Sequence, residues 1–283
     1  MIDRDNILTI ARKELRDALR NRWFLFFTLA FTGLALMLST MTQSGNSRMA
    51  VSGYDRAAAG LINLVLLFVP LIGLTLGAAN LVGERETGTL AYLLAQPVTR
   101  AEVLLGKYTG FAGALFASLS LGFGVAGTIM ALQGQISSAG DYLLTVALAF
   151  LLALSMLSLG FLISTIARKT ATSLGSALFL WLFLVFVGDL GIMGTAMITR
   201  MSIQNLFILT SMNPLQMFKM ASILTIRADL EVLGPAGLYA TQQFGDGLLA
   251  IFLVGLLAWV VLPLSAALLI FTRQERLPLF KKA

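Results

Sequence analysis

The sequence contains no cysteine and no histidine. Disulfides, thiolate nucleophiles, zinc or haem held by imidazole, and every catalytic triad built on histidine are thereby excluded. Charge is scarce as well. Only 12% of the 283 residues are Asp, Glu, Lys or Arg, against roughly 25% in soluble domains. No G-x-x-x-x-G-K-[ST] is present, because Gly106-Lys107 is followed by Tyr108 and lacks the upstream glycine. The chain therefore has no P-loop of its own with which to bind ATP. Apolar sequence takes the place of all this: 58% of residues, with a mean hydropathy of +0.87. Such a composition belongs to a protein that crosses the bilayer repeatedly. The net charge of +6 is accounted for by topology and not by a basic face for nucleic acid.

Six apolar segments approach the roughly 20 residues that span a bilayer. They lie at about 23–42, 59–82, 108–132, 143–166, 173–198 and 248–272. The expected fold is all-α, with six transmembrane helices behind an N-terminal interfacial helix at 1–22. In that first stretch Ile7, Leu8, Ala11, Leu15, Ala18 and Leu19 recur at helical spacing, with Arg12, Lys13, Arg16 and Arg20 between them. The pattern suits a helix lying along lipid headgroups. A flexible basic leader or a cleaved signal peptide is the alternative. The charged region is long and the following run is span-sized, which favours mature protein.

The basic residues give the orientation. Fifteen of the 20 fall in the termini, in 83–107 and in 167–172. The other five, Arg48, Arg56, Arg200, Lys219 and Arg227, fall in the remaining polar segments. On this division no Lys or Arg lies inside a span. The positive-inside rule then places both termini and the 83–107 and 167–172 loops in the cytoplasm.

Outside the membrane, segment 199–247 is the longest. Apolar residues from Met201 to Arg227 recur at helical spacing, broken at Asn213-Pro214. Two short amphipathic helices on the outer leaflet are expected, the second begun by Pro214. The segment either caps the bundle or offers a docking surface; the residues leave both open. On the cytoplasmic side, 83–107 carries Glu84, Arg85 and Glu86 just past the second span. Leu90, Leu93 and Leu94 then share a helical face, and Pro97 ends that helix. Thr99 to Glu102 forms an S/T-x-x-E capping box for the helix leading into the third span. Such an amphipathic helix can insert into a groove of a partner. It can equally be an ordinary connection between spans.

The string Gly83-Glu84-Arg85-Glu86-x-Gly88-Thr89-Leu90-x-x-Leu93-Leu94-x-x-Pro97-Val98-x-Arg100, ending in Leu105-Gly106-Lys107, resembles the signature of type 2 ABC-transporter permeases. The amphipathic start through Arg12-Lys13-Glu14-Leu15 and the six-span plan resemble that family too. The resemblance implies a type 2 ABC exporter fold in the bacterial inner membrane. It implies a dimer of this chain, working with two copies of a separate ATPase subunit and needing no cofactor. Residues 87–97 would be the coupling helix that fits into the ATPase, with Glu84 and Glu86 at the hinge. Thr89, Leu90, Leu93, Leu94, Pro97 and Arg100 complete the implied coupling set.

Shorter strings are similar to the branch of the family that serves copper-site assembly in nitrous-oxide reductase. They are Asn21-Arg22-Trp23, Phe186-Val187-x-Asp189-Leu190, Asn213-Pro214 and Leu233-Gly234-Pro235-Ala236-Gly237. That likeness implies a periplasmic β-helical copper-handling subunit on the outer face and export of a sulfur-containing species. A generic exporter of a hydrophobic small molecule or lipid is the alternative within the family.

Asp189 is the one acid expected inside a span. It lies roughly 24 Å along the fifth span from Ser173, at about 1.5 Å per residue. An ionised carboxylate there costs about 2.5–3.5 kcal/mol, so it should face the bundle interior or a wet cavity. A transport-pathway role and a structural hydrogen bond both remain open. Met193, Met197 and Met201 share a helix face, and thioethers suit Cu(I). Methionine also fills irregular apolar gaps, and no metal site is assigned. Gly73-x-x-x-Gly77 offers a close helix contact. A secondary carrier or channel would call for inverted repeats or several intramembrane charges. An intramembrane enzyme would call for paired acids within the spans. Neither pattern is found.

Overall fold

The computed structural model describes residues 3–41, 53–133, 138–188, 203–225, 243 and 245–273. Every regular element among them is helical. Helix α1 (Arg4–Arg20) starts at Asp3, whose side chain accepts from Asp5 N, and stops at Asn21. Asn21 then accepts from Trp23 N at 2.9 Å, so one residue closes α1 and opens α2 (Arg22–Met41). There follow α3 (Gly53–Glu86), α4 (Thr89–Leu94), α5 (Arg100–Leu132), α6 (Ala139–Ile166), α7 (Thr170–Phe186), α8 (Ile203–Ser211), α9 (Pro214–Thr225) and α10 (Leu248–Arg273).

Five of these are long and apolar enough to cross a membrane: Arg22–Thr40, Ala59–Glu86, Arg100–Leu132, Ala139–Ile166 and Leu248–Arg273. Helix α7 is apolar but described for only 17 residues. The expected fifth span beyond Gly188, with Asp189, Met193 and Met197, lies outside the described residues, as do Met201 and Leu233 to Gly237.

Two helices run past their apolar runs. Helix α3 continues beyond residue 82 to Glu86, and α5 begins eight residues before the expected third span, at Arg100. Lys107 therefore lies in the second turn of that helix, as the expected capping box requires. The box at Thr99 lets the helix start early, in polar sequence.

Helices α3 and α6 form the centre and run parallel. A Cβ on Gly77 would stand 2.7 Å from Leu157 O, and one on Gly160 would stand 2.6 Å from Leu74 O. Only residues without side chains allow that approach. Helices α1 and α2 lie in succession along α5, where Phe31 of α2 packs edge-on to Phe123 at 5.7 Å. Helix α1 buries Ile10, Glu14 and Ala18 against α5 and leaves Leu8 and Leu19 exposed. It is thus seated on protein rather than resting on lipid alone. Pro214 does open α9, with Asn213 Oδ1 accepting from Leu215 N at 3.0 Å. Yet α9 is buried almost all round, between α6 and α10. An outer-leaflet helix would show one wet face.

Candidate functional site at the charged end of the bundle

The last turn of α3, the short α4 and the first two turns of α5 meet at one end of the bundle. Helix α3 ends as Thr87 N bonds Gly83 O at 3.1 Å and Gly88 N bonds Arg85 O at 3.3 Å. Gly88 adopts the left-handed conformation, φ 78°, that turns the chain into α4. Thr87 and Thr89 hydroxyls bond each other at 2.9 Å and both reach Glu84 O. Six residues are too few to hold a helix alone, so α4 depends on its seat. Leu90 is buried, and Leu93 and Leu94 pack on the same core. The face turned outward is Ala91, Ala95, Gln96 and above all Tyr92, which is 79% exposed. Thr89 and Pro97 are exposed beside it. The leucine face seats α4 on its own protein.

Beyond Pro97 the capping box forms with both arms. Glu102 N donates to Thr99 Oγ1 at 3.2 Å, and Thr99 N donates to Glu102 Oε2 at 2.9 Å. Glu102 has a second task. It accepts from Asp3 N at 2.7 Å and from Asn6 Nδ2 at 3.2 Å, pinning the start of α1 to the start of α5. Arg100 reaches across to α10, donating to Phe271 O at 3.4 Å with its guanidinium 5.6 Å from the Phe271 ring centre. That carbonyl belongs to the last turn of α10, where the helix has acceptors to spare and a partial negative charge.

Lys107 is fully enclosed. Its ammonium donates to Glu14 Oε1 of α1 at 2.7 Å and to Glu84 Oε1 of α3 at 2.6 Å. Lys13 donates to the same Glu14 oxygen at 3.3 Å. A charge taken out of water must be paired in this way, since an unpaired one would cost several kcal/mol. Burial works against the Lys13 ammonium, but Glu14, with Glu84 and Asp17 further off, outweighs it and raises its pKa above the ordinary lysine value.

The end of α3 is also tied to the α6–α7 turn. Val82 N donates to Ser164 Oγ at 3.0 Å, Arg85 donates to Ala167 O at 3.2 Å, and Thr170 Oγ1 donates to Glu86. Between α2, α3, α5 and α7 lies a cavity of about 580 Å³, with Trp23, Phe27 and Phe111 among its walls. Asn80 and Glu84 also line it, and Asn80 Oδ1 and Glu84 Oε2 are buried without hydrogen-bond partners. No cluster of three or more potential metal ligands occurs among the described residues.

The structure thus gathers Glu84, Glu86, Thr89, Leu90, Leu93, Leu94, Pro97 and Arg100 at one end of the bundle. Asp189 lies outside the described residues. Sequence reasoning missed Lys107 and Glu14 as a pair. The signal was present: Ile10, Glu14 and Ala18 follow one another at i, i+4, i+8, which puts an acid on the buried stripe of α1.

Residues 8–276 match the family model described as ABC-2 family transporter protein. Two similar relatives are each described as a probable ABC transporter permease protein NosY. The one from Pseudomonas aeruginosa is 32% identical over 223 residues, covering 77% of this chain and 81% of the relative. The one from Stutzerimonas stutzeri is 29% identical over 279 residues, covering 95% and 99%.

Proposed function

We propose that this chain, which belongs to the ABC-2 transporter family and is the membrane permease of an ABC transporter, takes its power stroke at α4. Two copies of the chain, each with six spans, would sit in the bacterial inner membrane with both termini cytoplasmic. Each α4 would dock on one of two copies of a separate ATPase. The observation that carries this reading is the arrangement of α4. It is held by Leu90, Leu93 and Leu94, it joins α3 to α5, and it presents Tyr92 outward. A rigid, seated helix between two spans can pass a push to both. Glu84, Glu86 and Arg100 would carry that push onward, since each ties a flank of α4 to another helix.

The NosY relatives, one matching over nearly the full length of both chains, support a narrower reading. The transporter would export a sulfur-containing species for copper-site assembly of nitrous-oxide reductase. A periplasmic β-helical copper-handling subunit would dock on its outer face.

A photo-crosslinking amino acid at Tyr92, introduced in cells that express the whole transporter, tests the coupling role. The expected adduct is a P-loop ATPase identified by mass spectrometry, and the same residue placed at buried Leu90 gives none. The reading fails if Tyr92 captures no ATPase and none accompanies the chain through purification.

A further inference from the structure

The ATPase contact at α4 leaves Lys107 without a role, although it is a fully enclosed charged side chain at the centre of this end of the bundle. Stability alone is a poor explanation. A buried ion pair recovers little more than its desolvation cost, and apolar residues of similar size commonly do as well. The two attachments of Lys107 also differ in kind.

The Glu14 side is closely packed and pinned. Helix α1 lies on Gly106 and Gly110, where an added Cβ would come 2.8 Å from Ile10 Cβ and 2.7 Å from Ala11 O. Glu102 holds the start of α1 through Asp3 N and Asn6. Glu14 itself is 5% exposed. The Lys107–Glu14 pair therefore belongs to one α1–α5 unit.

The Glu84 side is more open. One carboxylate oxygen takes Lys107 at 2.6 Å, while the other has no partner. The side chain is 21% exposed and forms part of the wall of the 580 Å³ cavity. Glu84 also lies in the last turn of α3, four residues before the Gly88 turn into α4. Helix α4 connects the two helices that carry the pair, so a push on it bears on Glu84 from one flank and on Lys107 from the other.

We propose that Lys107 is a positioning residue of the transport cycle: it stays on Glu14 throughout and releases Glu84 when ATP engages the partner. At rest the pair holds the inner end of α3 against the α1–α5 unit. On release, the Glu84 carboxylate turns into the cavity, and α3 is free to move with α6 and α7. The proposal rests on α4 being the ATPase contact.

Lysine acetylation of the complete complex in lipid nanodiscs tests it. Modification of Lys107 is measured by peptide mass spectrometry without nucleotide and with ATP trapped by vanadate. Lys13, whose side chain is 58% exposed, reports on the reagent. Lys107 is expected to be protected at rest and modified at least fivefold more in the trapped state. Glu84→Gln should expose it in both. Equal protection in both states, in a complex that hydrolyses ATP, overturns the proposal. A complex with no ATP hydrolysis overturns the coupling reading beneath it instead. A second measurement is independent of the reagent. Lys107→Arg should keep ATP hydrolysis within twofold, and Lys107→Met should lose at least fivefold while still co-purifying with the ATPase. Equal rates in the two variants also overturn the proposal.

Discussion

Gly77 and Gly160 face each other across the α3–α6 contact, with a Cβ at Gly160 falling 2.9 Å from Gly77 Cα. A methyl group at Gly77 would meet backbone atoms of Leu157 and Phe161 at 2.7 and 2.8 Å, and backbone cannot rotate away as a side chain can. Gly77→Ala should therefore force the two helices apart, at about 1–3 kcal/mol, the usual range for overpacking. Gly124 is the contrast, with nothing within 4 Å of its would-be Cβ. There alanine should be neutral or stabilising by up to about 1 kcal/mol, through helix propensity. Thermal unfolding in detergent checks the pair: Gly77→Ala should melt several degrees lower and Gly124→Ala should not. Equal melting would show that the close approach of α3 and α6 is not required. Gly73-x-x-x-Gly77 could be read from sequence as a contact motif, but its partner could not. Identifying Gly160 needs the parallel course of α3 and α6, which no local pattern encodes. Lys107 was hidden for a related reason: a lysine near a span end looks like a topology charge until the helix that buries it is placed.

Helix α4 shows where an element's sequence is legible and where it misleads. Its existence, its Gly88 start and the Thr99–Glu102 box after it follow from turn and capping chemistry within a few residues. The direction of its apolar face does not, because Leu90, Leu93 and Leu94 would look the same whether they entered a partner or seated the helix at home. The same ambiguity holds for α1, whose buried stripe meets α5, and for α9, which is buried between α6 and α10. Since α4 cannot stand alone, removing its anchor should free it locally without unfolding the bundle. Leu90→Ala costs about 2–5 kcal/mol at a buried site, which corresponds to amide exchange at least about 30-fold faster. Hydrogen exchange should show that rise across residues 91–96, with α5 beyond Glu102 unchanged. Tyr92→Ala, at an exposed position, should leave exchange as it was. Undisturbed protection in Leu90→Ala would mean that something other than the leucine seat holds α4.

The number of bilayer crossings sets which end of the whole molecule meets which compartment. Five helices qualify by length and composition, and α7 is described over 17 residues, roughly 25 Å at about 1.5 Å per residue. That falls short of the roughly 30 Å hydrocarbon core. Apolar sequence continues past Phe186 toward Ile198, interrupted by Asp189 and by small residues, and a crossing there would keep the two sets of basic residues on opposite sides. Lys107 lies between Arg100 and the apolar run of α5, so the division of fifteen basic residues against five is unchanged. If α7 is a span, five crossings separate α1 from α8, and the two helices lie on opposite sides. The absence of native cysteine makes the check clean. Leu8 on α1 and Gln204 on α8 are both exposed, and each can be replaced singly by cysteine. A membrane-impermeant maleimide should label Gln204→Cys in spheroplasts and reach Leu8→Cys only after the membrane is opened. Labelling of both without permeabilisation would remove one crossing and, with it, the six-span plan. Labelling of Leu8→Cys alone would invert the orientation and put α4 on the side of the membrane where no ATPase could reach it.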